Sequence, residues 1–381
     1  MGIIYLDNAA TTPIDSKVIE RIAEIMTTVY GNPSSTHQLG RKAKTVVVEA
    51  RKSIAKHFNV TASEVVFTAG GSEADNLILR NAVVNLGVKR IITSKIEHHA
   101  VLHTVEALAD EFDIAINFVD LNTNGLIDYA HLEALMNNSE DKTLVSLMSA
   151  NNEIGNLLDI KRVSDLCMAN NTLFHSDTVQ AIGHFNMDLQ ETPIDFITAS
   201  AHKFHGPKGV GFAIIKKGFG IKPMLIGGEQ ERGARAGTEN VPQIAGMQTA
   251  LDIALKNLDA DKKYITELKT YFIKQLKATF PEVTFNGCSA DLEKSTYTIL
   301  NVRFPKTLPL LLFQLDLKGI AASGGSACQS GSAKGTHVLN AILGKKEAEH
   351  TSVRFSFSKY NTKHEIDNVV EVLVVLKKSI F

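Results

Sequence analysis
Short apolar runs alternate with stretches of helical periodicity from about residue 64 to residue 215, the pattern of strands separated by helices. Runs at 65–67, 90–93, 114–119, 144–148, 194–199 and 210–215 read as strands, and the alternation predicts a mostly parallel sheet covered by helices. A long helical pattern at 242–278 forms a spine toward a smaller unit, in which 297–304 and 352–357 read as strands and 365–380 as a helix. The expected organisation is a large domain over residues 14–258 and a smaller α/β domain made of residues 1–13 and 259–381. No internal repeat or low-complexity segment interrupts it. Open sheets of this kind gather their sites at the carboxyl ends of strands, so the polar residues at those ends are the ones to read for chemistry.

With 381 residues and 44% hydrophobic content, the chain can bury one large core and a smaller one. Its formal net charge of -1, with both signs interspersed, leaves no basic footprint for direct nucleic-acid binding. No stretch approaches the roughly 18–20 apolar residues of a membrane span. The opening residues lack a secretory pattern, so a cytoplasmic protein is expected. Met1-Gly2 has the form of a myristoylation start, but apolar, strand-like residues follow and that reading is set aside. Cys167, Cys288 and Cys328 are too widely spaced for a zinc site and odd in number for a disulfide framework. Cys167 falls in a helical pattern and reads as packing, and Cys288 follows an Asn-Gly turn signal. Cys328 lies in the small, polar stretch from Ser323 to Gly335. A cysteine there is expected to be exposed and mobile, which suits either a travelling nucleophile or a tolerated surface residue.

Lys203 follows the apolar run 194–199 within a glycine-rich turn, between two strands. A lysine pinned in a desolvated turn loses its charge readily and can condense with a carbonyl, as in a Schiff base to pyridoxal 5'-phosphate (PLP); the plain alternative is a solvated loop lysine. Asp177 ends the run that starts at Leu173 and could pair with a pyridine nitrogen or cap a helix. Gln180 is then within reach of the ring's phenolic oxygen. After the run at 65–67, Gly71 and Ser72 open a helix whose unpaired amides suit a phosphate, although the turn is also that of an ordinary capped helix. It matches neither the dinucleotide nor the P-loop spacing. His98 could stack on a flat ring and move protons. Asn152 could meet the phenolic oxygen or a substrate carboxylate. His99 and His103 have the i, i+4 spacing of a metal pair, but no third ligand is apparent and no metal is expected.

Taken together, the motifs resemble those of the group I cysteine desulfurases, fold-type I PLP enzymes of the class V aminotransferase superfamily. The resemblance runs over essentially the whole chain. It rests on the stretch from Tyr5 to Pro13, on Gly31-Asn32-Pro33-Ser34-Ser35, Glu97-His98, Asn151 to Gly155, Asp177 with Gln180, and His202-Lys203. Arg235 to Thr238, Ser323 to Cys328, and Val353 to Ser356 extend it. It implies Lys203 as the Schiff-base lysine, His98 as the ring-stacking acid and base, Asp177 on the ring nitrogen and Gln180 on the phenolic oxygen. It implies Gly71, Ser72, Ser200 and His202 around the phosphate. Thr238 would reach the phosphate of a neighbouring subunit, making the active unit a homodimer. Arg354, with Asn152 and Asn32, would clamp the carboxylate of L-cysteine. Cys328 would then take the sulfur as a persulfide, releasing L-alanine, and pass it to an acceptor protein for iron-sulfur assembly or tRNA thiolation.

A selenocysteine lyase or an aminotransferase would share Lys203, Asp177 and His98 without needing Cys328. Two features depart from the family pattern. Ser323-Gly324-Gly325 stands where a second serine is common, a change expected to loosen the stretch but keep its chemistry. The chain also stops at Phe381, short of the extension that some members use to dock a scaffold protein, which leaves such docking open.

Overall fold
β-Branched and aromatic residues dominate the short apolar runs, and they pack well on a pleated, buried surface. The computed structural model describes residues 2–308, 310–324 and 336–380. After β1 (Ile4–Tyr5), the chain builds β2 (Val65–Thr68), β3 (Arg90–Thr93), β4 (Ala115–Phe118), β5 (Thr143–Ser146), β6 (Leu173–Asp177), β7 (Phe196–Ser200) and β8 (Gly211–Ile215). The last seven form one sheet in the order β2-β8-β7-β6-β5-β3-β4. Every neighbouring pair is parallel except those of β8, which runs against both β2 and β7. This is the mostly parallel, helix-covered α/β sheet that the alternation predicts. The inner strands β3, β5, β7 and β8 and the edge strand β2 are buried at every position, as a sheet covered on both faces requires.

A second apolar core forms beyond the long helix Leu258–Thr279. Its strands are β9 (Thr284–Phe285), β10 (Ile299–Arg303), β11 (Ile320–Ala321) and β12 (Ser352–Ser356). β10 lies between β9 and β12, antiparallel to both. Phe272 packs edge-on against Phe355 and Phe357, with ring centroids 5.1 and 6.1 Å away. The N-terminus joins this unit: β1 pairs in parallel with β11, and Leu6 is buried in the same core. From there the chain crosses toward the large sheet. Ala9 N–H donates to Ser356 Oγ at 2.8 Å, and Thr12 N–H donates to the His202 carbonyl at 2.9 Å. Residues 7–12 therefore run between the small sheet and the turn that carries Lys203. Strand ends differ from the sequence expectation by a residue or two, because hydrogen-bonded pairing stops before the apolar run does. Cys167 and Cys288 are both buried.

Candidate active site
The carboxyl ends of β6 and β7 and the starts of helices Gly71–Val84 and His99–Phe112 meet around one cavity of about 280 Å³. After β7, a single 3₁₀ turn, Ala201–Lys203, aims the lysine into it. Lys203 Nζ donates to the carbonyls of Ala9 and Ala10, at 2.7 and 2.9 Å. Burial brings its pKa down to about 8; the nearby Arg354 guanidinium pushes the same way, while Asp177 and Asp7 oppose it. A substantial fraction is thus uncharged amine near neutral pH, which an exposed lysine is not.

Asp177 is buried, and its Oδ1 accepts the Val179 N–H at 2.9 Å in a turn rather than at a helix start. Burial raises its carboxyl pKa, the Asp75 carboxyl raises it further, and His98 pulls it back. His98 caps helix His99–Phe112, with Nδ1 accepting the Ala100 N–H at 3.1 Å. That bond leaves Nε2 to carry the proton in the neutral ring. Burial holds His98 below its ordinary pKa. Gln180 Nε2 donates to the Ala9 carbonyl at 3.0 Å. Ser200 and His202 line the same cavity, and burial, aided by Lys203 and Lys208, holds His202 down to about 4.

Gly71 and Ser72 stand at the start of a 14-residue helix whose N-cap, Gly70, supplies no side-chain bond to the first-turn amides. A Cβ added at Gly71 would lie 2.6 Å from Val179 Cγ2, so the glycine keeps the cradle open. Arg354, only 2% exposed, donates from one terminal nitrogen to the Asn152 carbonyl at 2.7 Å and from the other to Asp7 Oδ1 at 2.8 Å. Its Nε has no partner among the described residues. The guanidinium is held at the cavity edge in one orientation, which suits a carboxylate.

Two expected residues lie apart from this cluster. Asn32 is on an exposed stretch, where its Oδ1 accepts the Ser34 N–H at 2.9 Å, and it does not line the cavity of its own chain. A local side chain–backbone turn has taken its acceptor. Thr238 is exposed and also outside the cavity of its own chain. Cys328 lies outside the described residues. Its flanks are fixed beside the site: Ser323 and Arg354 exchange backbone hydrogen bonds at 3.3 and 2.7 Å, Thr336 Oγ1 donates to Glu153, and His337 Nε2 lies 2.9 Å from the Glu97 carbonyl. His99 stacks on His103 and packs tilted against His337, with centroids 4.6 and 4.3 Å away. Among the described residues, no group of three or more His, Cys, Asp or Glu is placed to hold a metal. Asp75 lines the cavity and Asp7 meets Arg354 without a signal in the sequence that sets them apart, and His99, distinguished there only by its spacing from His103, lines the cavity as well.

The residues present fit a flat, phosphate-bearing aldehyde: a weakly basic buried lysine, an aspartate across the cavity and an uncapped helix start that glycine keeps clear. On an α/β sheet of this topology they define a pyridoxal-phosphate-dependent enzyme. The chain matches the aminotransferase class-V family over residues 4–369 and belongs to it. It is 38% identical over 375 residues to cysteine desulfurase IscS of Dictyoglomus turgidum, covering 97% of this chain and 93% of that protein. Identity to cysteine desulfurase IscS of Clostridium botulinum is 40% over 374 residues, with coverage of 97% and 93%. A solved NifS-like protein superposes with a TM-score of 0.90 at 35% identity, with 99% of each chain covered. Within the class-V family the chain therefore groups with the cysteine desulfurases, which are PLP-dependent.

Proposed function
We propose that this protein withdraws sulfur from L-cysteine, releases L-alanine and leaves the sulfur as a persulfide on Cys328. Bound pyridoxal 5'-phosphate supplies the electron sink for the α-carbon. Lys203 would hold it, Asp177 would face the ring nitrogen and Gln180 the phenolic oxygen, and Gly71, Ser72, Ser200 and His202 would take the phosphate. His98, with Nε2 carrying the proton of its neutral ring, would stack on the cofactor ring and serve as acid and base. Arg354, with Asn152, fixes the substrate carboxylate, so that the α-proton faces the freed Lys203 amine, which removes it. The Cys328 thiolate attacks the substrate sulfur and a new S–S bond forms. The Cβ–S bond breaks with its electron pair staying on carbon; a proton added at that carbon and the return of a proton to the α-carbon from Lys203 give alanine.

One observation carries this reading. Arg354, the carboxylate clamp, sits on the strand whose backbone pairs with Ser323, which precedes Cys328 by five residues in the chain. Substrate clamp and sulfur acceptor are thus tied to one strand. We assign Thr238 to the phosphate of a second copy, in a homodimer, and divide the chain into a large domain, 14–258, and a small one, 1–13 with 259–381. A cytoplasmic setting and a sulfur-accepting protein, an iron-sulfur scaffold or a tRNA-thiolation enzyme, complete the proposal.

The test is alanine and sulfide release from L-cysteine with a reductant, on the native protein and on Cys328→Ala. Equal amounts of both products are expected, with at least a hundredfold loss in the variant. Undiminished turnover by the variant, with no persulfide on the native protein, would overturn the assignment.

A further inference from the structure
Glu73 lies in the first turn of helix Gly71–Val84, just past the glycine that keeps the phosphate cradle open, and a carboxylate there opposes a bound phosphate. A phosphate monoester carries a charge of about -1.5 to -2 near pH 7, and a like charge in the same half-buried turn weakens its binding. Both oxygens of this carboxylate are occupied. Glu73 Oε2 accepts the Ala69 N–H at 2.8 Å, which folds the side chain back over the turn that precedes the helix, and Oε1 accepts the Arg235 Nε–H at 2.9 Å. A second guanidinium nitrogen of Arg235 reaches Oε2 at 3.4 Å.

Arg235 is itself held from both sides. It follows the 3₁₀ stretch Gln230–Gly233, in which Glu231 and Arg232 take positive φ, 49° and 56°, a conformation that such residues keep only where contacts enforce it. The enforcing group is the buried carboxylate of Glu231, which accepts from both terminal nitrogens of Arg51, at 2.7 and 2.6 Å, and from the Phe67 N–H at 2.8 Å on the free edge of β2. On the other side, Gly237 has φ 105°, and a Cβ there would lie 3.1 Å from an Arg235 terminal nitrogen. One strand, β2, thus carries the cradle at its end and, along its edge, the root of the arm that places Arg235.

We propose that Arg235 is a positioning residue for the cofactor phosphate: it cancels the charge of Glu73 and holds that carboxylate on the Ala69 amide, so that the helix start accepts a phosphate. It acts through Glu73. Arg235 stands three residues before Thr238, so the arm assigned above to the phosphate of a second copy also prepares the cradle of its own chain.

The inference rests on the site holding PLP, and the test separates the two. The cofactor-free full chain is titrated with PLP and with pyridoxal, which has the same ring and aldehyde but no phosphate, and the lysine adduct is read by its absorbance. Arg235→Gln is expected to raise the Kd for PLP by about tenfold or more and to leave that for pyridoxal within about twofold, whereas a general loosening of the site would weaken both. Glu73→Gln added to Arg235→Gln should recover most of the PLP affinity, because no unbalanced carboxylate then remains. Arg235→Lys, which keeps the charge without the fork, should lose about threefold for PLP alone, and it reads the same contrast should the glutamine variant fail to fold. Equal losses for the two ligands, or no recovery in the double variant, overturn the role of Arg235. A native protein that forms no adduct with PLP overturns the reading of the site, and this inference with it.

Discussion

Lys203 works because its surroundings favour the amine. Burial is the main reason, and the Arg354 guanidinium adds to it. The neutral form grows tenfold per pH unit below a pKa of about 8, so capture of PLP by the cofactor-free protein should accelerate with pH and level off above about 8. Stopped-flow absorbance between pH 6 and 9.5 measures this, and a rate independent of pH would contradict it. Asp7 is the quieter partner. By accepting from Arg354 it holds the guanidinium in the plane that a substrate carboxylate must meet. Asp7→Asn should therefore lower kcat/KM for L-cysteine about tenfold, mostly through KM; a fall confined to kcat would argue that Asp7 serves Lys203 instead. Lys203 and Asp177 were legible in the sequence because each follows an apolar run, where an α/β sheet presents its chemistry. Asp75 and His175 were not, because a polar residue inside a helical or strand pattern reads as a solvated face. Only packing shows that these two point into the protein.

At the scale of elements, strand and helix order came through the hydrophobic pattern with small errors at the ends. The pairing of β1 with β11 did not, because each is two residues long and their contact spans the whole chain. The cradle after β2 shows what the Gly-Gly signal means. Gly70 adopts φ 152° and ψ -175°, a region open in practice to glycine alone, while Gly71 makes room against Val179. Substitutions here should split in effect. Gly70→Ala forces backbone strain and should cost about 1–3 kcal/mol of stability along with PLP affinity. Gly71→Ala meets only the tip of a valine, which can turn aside; it should weaken PLP binding at least tenfold while changing stability by less than about 1 kcal/mol. Urea midpoints without cofactor, beside PLP titrations, distinguish the two, and parallel losses in both variants would count against a dedicated cradle.

The whole molecule depends on how its two cores are joined, and one buried lysine lies at the seam. Lys269, 0% exposed on helix Leu258–Thr279, donates to Ser295 Oγ and to the Thr296 carbonyl, both at 2.8 Å. The same segment reaches the large unit: Thr296 N–H donates to the Gly155 carbonyl at 2.8 Å, and Leu157 N–H donates to the Lys294 carbonyl at 2.9 Å. Gly155 belongs to the turn that carries Asn152, so Lys269 braces the helix against the wall of the active site. Burial brings its pKa down to about 7, while the unfolded chain keeps a lysine near 10.4. Between those values the unfolded state binds more protons than the native state, so stability rises with pH across that window. Below about pH 7 both states are protonated and the dependence ends. Lys269→Met abolishes the titration and also strands two acceptors, a loss that does not vary with pH. Native protein should therefore gain on the variant by about 1 kcal/mol for each unit between pH 7 and 10, read from urea unfolding at several pH values. A gap between the two proteins that stays constant over this range would show that Lys269 remains charged in the fold, balanced by Asp291, whose carboxylate already acts to raise its pKa.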